Sequence, residues 1–200
     1  MKLTIPTELS EITLGQLQSI SVIEGSDLEA TERQKKIVSL LTGVDRNTID
    51  LFRLSDLQHV YERLLYLSKQ DNRLTKFVTI DGVKYGFHPN LSNISTGEFA
   101  DLDSLCQDFN ENLHLIMSVL YRPVILEKLG KYQIKPYEGE IEERGELFKN
   151  KMPANIVNGA LVFFWTLGND YLKNMQEYSE GEQEATSNSS SQNDGGGIPY

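Results

Sequence analysis

The side chains that could carry out chemistry are few and widely separated in this sequence. Three histidines, His59, His88 and His114, have no second ligand at the spacings that metal sites on helices or loops use. We therefore expect surface or partly buried imidazole rings, with no metal and no cofactor. Cys106 and His114 are eight residues apart, about 12 Å between α-carbons on one helix, so they are not expected to act as nucleophile and base.

Other segments that resemble catalytic motifs also have a simpler interpretation. Paired acids can serve hydrolysis, but Glu142 and Glu143, like the acids of segment 180–184, lie in stretches that the pattern predicts to be solvated or flexible. The glycines at 195–197 have neither the preceding strand nor the following helix and lysine of a phosphate loop. No catalytic residue is predicted, and an enzyme remains only a third alternative.

Composition and charge limit the classes of partner. The chain has 200 residues, 19 basic and 29 acidic, which give a formal net charge of −10. Such a field repels phosphate backbones and anionic lipids, so neither nucleic acid nor a membrane is an expected partner. The single cysteine, Cys106, cannot form an internal disulfide, and Pro6 and Glu8 interrupt any signal-peptide core, which favours a cytoplasmic protein.

Helix starts are the clearest local signals in the sequence. A hydroxyl residue followed three positions later by Glu or Gln predicts a capping box. That spacing occurs four times, at Thr13/Gln16, Ser26/Glu29, Ser55/Gln58 and Ser95/Glu98. We expect a helix to begin at each position. The second of them should run from Asp27 to Leu41, with Gly43 as its C-terminal stop signal.

The segment 76–122 is the most legible part of the chain. Asp81-Gly82 separates two strand-like runs and predicts a hairpin with a type I′ turn. An apolar stripe then runs from Leu102 to Leu120 and predicts one unbroken helix that ends before Pro123. Residues 124–140, punctuated by glycine and proline, are expected to form a surface loop, with a further helix at 140–149.

The C-terminal part is expected to combine an apolar helix with a polar tail. Pro153 suits the first turn of a final apolar helix. Its aromatic residues Phe163, Phe164 and Trp165 are candidate partner-binding residues, although their density favours core packing. From 179 to 200 the composition predicts a flexible segment. Its last residues, Ile198, Pro199 and Tyr200, have no core to join and form a candidate docking peptide, with a frayed end as the other interpretation.

Two parts of the chain have similar patterns. Ile12-Thr-Leu-Gly-Gln-Leu and Ile94-Ser-Thr-Gly-Glu-Phe share the order apolar, hydroxyl, any, glycine, Glu or Gln, apolar. We interpret segments 2–44 and 76–124 as copies of a strand–helix–helix unit packed about a pseudo-twofold axis, although two capped helices can look alike by chance. The fold class expected is therefore mainly α with a small β-hairpin (α+β), in one globular domain over residues 1–178.

The capped first helix, the Lys76-Phe-Val-Thr-Ile-Asp-Gly-Val-Lys-Tyr hairpin and the Ser118-Val-Leu-Tyr-Arg-Pro run together resemble tail assembly chaperones of tailed bacteriophages. The resemblance implies a small, non-enzymatic, mostly helical protein that holds a tail component, such as the tape measure protein, in the host cytoplasm before assembly. The alternative is a structural virion protein: a connector, ring or head-completion subunit. Either role is compatible with a homo-oligomer.

Overall fold

The computed structural model describes residues 4–67 and 73–163. The chain divides into two compact units, Met1–Ala160 and Leu161–Tyr200. All elements named below belong to the first unit. In the second unit only residues 161–163 are described, and they are helical.

The first unit combines helices with one antiparallel sheet. Its helices within the described residues are α1 (Leu14–Glu24), α2 (Ala30–Thr42), α3 (Arg46–Ile49), α4 (Leu54–Leu67), α5 (Thr96–Leu105), α6 (Phe109–Leu120) and α7 (Glu142–Lys151), followed by a helical stretch at 154–160. Its strands are β1 (Phe77–Ile80), β2 (Val83–Phe87), β3 (Tyr121–Lys128) and β4 (Lys131–Ile134), in the order β1-β2-β3-β4. The predicted α+β class is confirmed, with a larger sheet than a single hairpin.

Two of the four predicted capping boxes are present. The Gln16 amide donates to Thr13 Oγ1 at 3.2 Å and the Thr13 amide donates back to Gln16 Oε1 at 2.9 Å. Ser95 and Glu98 make the same reciprocal pair at the start of α5. Gly43 ends α2 with φ of 69°, as expected.

The other two capping predictions are wrong. The Ser26 hydroxyl donates to Ile23 O at 2.6 Å, so it is used at the end of α1, and α2 begins only after Glu29. Ser55 lies inside α4, because the Arg53 carbonyl already accepts the Leu57 amide. At Ser26 a backbone carbonyl of the preceding helix takes the hydroxyl that the spacing assigned to the next helix.

The Asp81-Gly82 hairpin is confirmed. Both residues have positive φ, 50° and 78°, and the register pairs Ile80 with Val83 across the turn. The N-terminal strand predicted before α1 is wrong for its described part, since Thr4 and Ile5 are not in a strand.

The predicted continuous helix from Leu102 to Leu120 is also wrong. It is broken by a 3₁₀ turn over Cys106–Asp108, where Asp108 leaves helical geometry at φ −116° and ψ 60°. The break allows α5 to fold back and pack against α6. The buried apolar side of α6 is kept, whereas α5 buries Glu98 and Leu102 and leaves Phe99 exposed.

The loop expected over 124–140 is largely a second hairpin. β3 begins directly after α6 and pairs with β2 through Tyr121, Arg122 and Pro123. Residues 124–134 extend past that pairing, and β3 and β4 there pair with each other around Leu129-Gly130, whose φ values are 52° and 75°. We call residues 124–134 the arm.

The core of the first unit lies between the helices and behind the sheet. One part joins α1 to α4 through Ile37, Val38, Ile49 and Leu64. Another part surrounds α6, with the largest fully buried side chains in Ile116, Met117, Leu120, Tyr121, Phe148 and Met152. Pro153 precedes the final helical stretch and forms a bridge with Thr13.

The duplication stays a prediction. Gly15 and Gly97 both occupy the second position of a helix with a capping box. Their surroundings differ, because a Cβ on Gly15 would meet Lys149 O at 2.8 Å, whereas one on Gly97 would meet the Tyr137 ring at 3.6 Å. α2 packs on α1 and α4, while α6 packs on α5, α7 and α1.

Candidate functional site: a buried charge cluster and two protein-binding surfaces

The chain buries a charge cluster that the sequence patterns did not reveal, made of Glu98, Arg122 and His88. Arg122 Nη2 lies 2.5 Å from Glu98 Oε1, and His88 Nε2 lies 3.5 Å from the same oxygen. The Glu98 and Arg122 side chains are 4% and 5% exposed. The cluster joins helix to sheet. Glu98 comes from α5, Arg122 from the start of β3 and His88 from the residue after β2.

The electrostatics of the cluster keep Glu98 ionised. Burial would raise the pKa of the Glu98 carboxyl, but hydrogen bonds from Ser95 and the nearby Arg122 and His88 hold that pKa below its ordinary value. Burial lowers the pKa of His88, and the Glu98 carboxylate only partly offsets this effect. The Arg122 Nε and Nη1 groups are buried without a hydrogen-bond partner within the described residues.

Tyr137 holds the segment after the arm against α5. Its hydroxyl donates to the Asp101 carboxylate, and its ring lies beneath the Arg122 guanidinium, 5.5 Å from centroid to Cζ. Burial, followed by the bond to Asp101, raises the pKa of the Tyr137 phenol. The cluster and this contact therefore fix the base of the arm.

The other two histidines lie elsewhere. His114 is buried on α6, where Gln18 Nε2 lies 3.3 Å from its Nδ1 and also donates to the carbonyls of Asn110 and Glu111 at 2.8 Å. Burial, and then the Lys149 charge, lower the pKa of His114. His59 is exposed on α4.

The other predicted chemistry is not brought together. Cys106 is a half-buried free thiol in the 3₁₀ turn, and burial, followed by the charge of Asp103, raises its pKa. Over residues 4–67 and 73–163, no three His, Cys, Asp or Glu side chains are grouped so that they could hold a metal ion. None of the helices in those ranges is long and apolar enough to cross a membrane.

The predicted partner-binding residues fall mostly beyond the described part of the chain. Phe163 is helical and 38% exposed. Phe164 and Trp165 lie outside the described residues, as do Ile198, Pro199 and Tyr200. Their role stays a prediction.

One exposed apolar surface lies on α4. Leu57, Val60, Leu64 and Leu67 face the core, as the 3.6-residue spacing predicts. Leu54 and Leu65 lie together on one flank of this buried face, about 16 Å apart along the helix axis, and both are exposed. Leu51, in the turn before α4, is 85% exposed. We call Leu51, Leu54 and Leu65 the α4 outer face.

A second exposed apolar surface is the arm. Ile125, Leu126 and Leu129 are exposed there, and Leu129 reaches 93% exposure. Cross-strand packing anchors its base, since the Tyr132 hydroxyl donates to Phe87 O at 2.6 Å and the Tyr132 ring lies edge-on to Phe77. The sequence signal for the arm was present but weak: apolar runs on both sides of a Leu-Gly pair, without the Asn or Asp that usually marks a type I′ turn.

Comparison of the chain with models of protein families, with curated proteins and with solved structures finds no match.

Proposed function

We propose that this protein is a non-enzymatic bacteriophage assembly protein, a tail assembly chaperone that holds a tail component before assembly. The observation that supports the proposal is the α4 outer face. A helix that buries one apolar face and exposes leucines beside it offers contact points for an apolar segment of a partner. The motifs that resemble tail assembly chaperones supply the phage context.

The α4 outer face suits reversible holding. Arg53 directly precedes Leu54 and Asp56 follows it by two residues, and these two charged residues are exposed and carry opposite charges. An apolar surface flanked by charged residues remains hydrated and soluble when no partner is bound. Its leucines become buried when a partner covers it. Burying a leucine side chain that was fully exposed contributes about 1.5–3 kcal/mol, so these leucines supply part of the binding free energy and further contacts with the partner must offset the rest of the association cost.

The decisive experiment compares infected cells with purified particles. A tagged chaperone should co-purify with a tail protein from infected cells and be absent from finished particles by mass spectrometry. Leu51→Asp combined with Leu54→Asp should abolish the co-purification. The matched control is Val22→Asp, since Val22 is an exposed apolar residue on α1. Abundant recovery in particles, at a fixed copy number, would contradict the chaperone role.

A structural virion protein, such as a connector, ring or head-completion subunit, is the second candidate. It is favoured by the arm, because a hairpin that extends past its sheet with an exposed apolar tip can bridge neighbouring subunits. The same particle analysis separates the two roles.

A further inference from the structure

The tip of the arm carries an apolar residue in an unfavourable place. Leu129 has φ of 52°, a conformation that glycine, asparagine and aspartate adopt far more readily. It is also 93% exposed, so within a single protomer the side chain gains no packing energy that could offset the unfavourable backbone conformation. Ile125 and Leu126 add exposed apolar surface on the same arm. Such a tip is understandable if another surface covers it.

The same tip carries unbalanced positive charge. Lys128 lies directly opposite Lys131 in the register of β3 and β4, and like charges in that position repel. Both lysines are exposed, and neither forms an ion pair with any other described residue. The neighbouring Glu127 forms an ion pair with Lys84 instead, with Oε2 2.5 Å from Lys84 Nζ. On a chain of net charge −10, this basic tip is electrostatically complementary to an acidic surface.

The solvent side of α5 carries an exposed aromatic residue beside an exposed acid. Phe99 is 61% exposed, and Asp103, four residues later on the same side, is also exposed. No lysine or arginine occurs between Lys84 and Arg122, so no basic side chain from that segment offsets its acids. We call Phe99 and Asp103, with Ala100 between them, the α5 outer face.

The arm does not cover this face within one protomer. Phe99 and Leu129 are both exposed, so any contact between them must join two molecules. A second copy offers the complementary features, apolar against apolar and lysine against aspartate.

We propose that the arm of one copy docks on the α5 outer face of a second copy, with Leu129 against Phe99 and with Lys128 and Lys131 beside Asp103. This contact goes beyond the proposed function and does not depend on the phage assignment. None of the residues in this contact belongs to the α4 outer face.

Crosslinking of the unmodified protein tests the contact directly. Equal amounts of ¹⁴N- and ¹⁵N-labelled protein are mixed, treated with a zero-length carbodiimide that joins lysine to carboxylate, and digested for mass spectrometry. The expected products are mixed-isotope peptides that join Lys128 or Lys131 to Asp103. A protein that stays monomeric, or crosslinks from these lysines to carboxylates elsewhere in the second copy, would overturn the proposal.

Charge reversal provides an independent test by sedimentation. Lys128→Glu combined with Lys131→Glu should weaken self-association by about tenfold or more, and adding Asp103→Lys should restore it in part. The matched control, Arg53→Glu combined with Arg63→Glu, makes the same change in net charge at exposed positions near or on α4. Equal weakening by the control, or no rescue, would show that net charge and not this contact governs association. Association of the arm with an acidic protein other than this chain, without self-association, also overturns it.

Discussion

The Arg122 guanidinium and the Glu98 carboxylate meet inside the protein, with Nη2 2.5 Å from Oε1. Glu98 belongs to the first turn of α5 and Arg122 to the second position of β3. One carboxylate therefore serves twice: its Oε2 accepts the Ser95 amide at 2.7 Å, and its Oε1 faces the arginine. Because both interactions depend on this carboxylate, substitutions at the pair should have large effects on the stability of the protein.

Glu98→Gln should destabilise the protein by about 3 kcal/mol. Glutamine still accepts the Ser95 amide and so keeps the cap, but Arg122 is left as a buried charge without its partner. The measurement is urea unfolding. Asp103→Asn is the control, since this aspartate is exposed on the same helix and should change the stability by no more than about 0.5 kcal/mol. Equal effects of the two substitutions would contradict a role for the buried pair.

Stability should decrease in two stages as the solution is acidified. The folded-state pKa values of His88 and His114 lie below the ordinary 6.5, so the unfolded chain binds protons first and stability is lost as the pH falls below about 6.5. The pKa of Glu98 lies below its ordinary 4.5, so its contribution is present above that pH and lost below it.

The check is the free energy of unfolding measured from pH 8 to pH 3. Replacing His88 and His114 by asparagine should flatten the upper stage and leave the lower one. Glu98→Gln should reduce the lower stage. An upper slope that survives the histidine substitutions would assign that stage to other groups.

Gly159→Ala should destabilise the protein by about 2 kcal/mol. A Cβ at this position would lie well inside van der Waals contact with the Arg73 carbonyl, and backbone cannot move aside as a side-chain end can. Gly97→Ala is the matched control, because its Cβ would meet the Tyr137 ring at an ordinary 3.6 Å and alanine favours helix. Thermal unfolding of both variants distinguishes the two environments, and a neutral Gly159→Ala would contradict the close approach.

Leu129→Asn should stabilise the isolated protein by about 0.5–1 kcal/mol. Asparagine tolerates the positive φ at this position better than leucine, and leucine loses little packing because it is almost fully exposed. The stability is measured at a protein concentration low enough to keep the chain monomeric. A destabilised variant would mean that Leu129 packs within its own protomer. Leu126→Asn, at an exposed position in β3 away from the turn, should give no such gain.

The sequence by itself determined the features that depend on neighbouring residues. Thr13 and Ser95 cap their helices, Gly43 ends α2, and Asp81-Gly82 turns a hairpin, because each involves bonds or backbone angles within a few residues. The α+β class followed from these local signals.

Tertiary structure alone decided the conformation of the chain between and after these caps and turns. Tyr121 leaves the helix and starts β3 because it pairs with Phe87, 34 residues earlier, and because its hydroxyl reaches Thr75 O at 2.6 Å. The helix predicted over Leu102 to Leu120 is interrupted by the 3₁₀ turn that ends at Asp108, and its two halves pack on each other. The Glu98–Arg122 pair likewise depends on distant segments meeting, which local patterns do not encode.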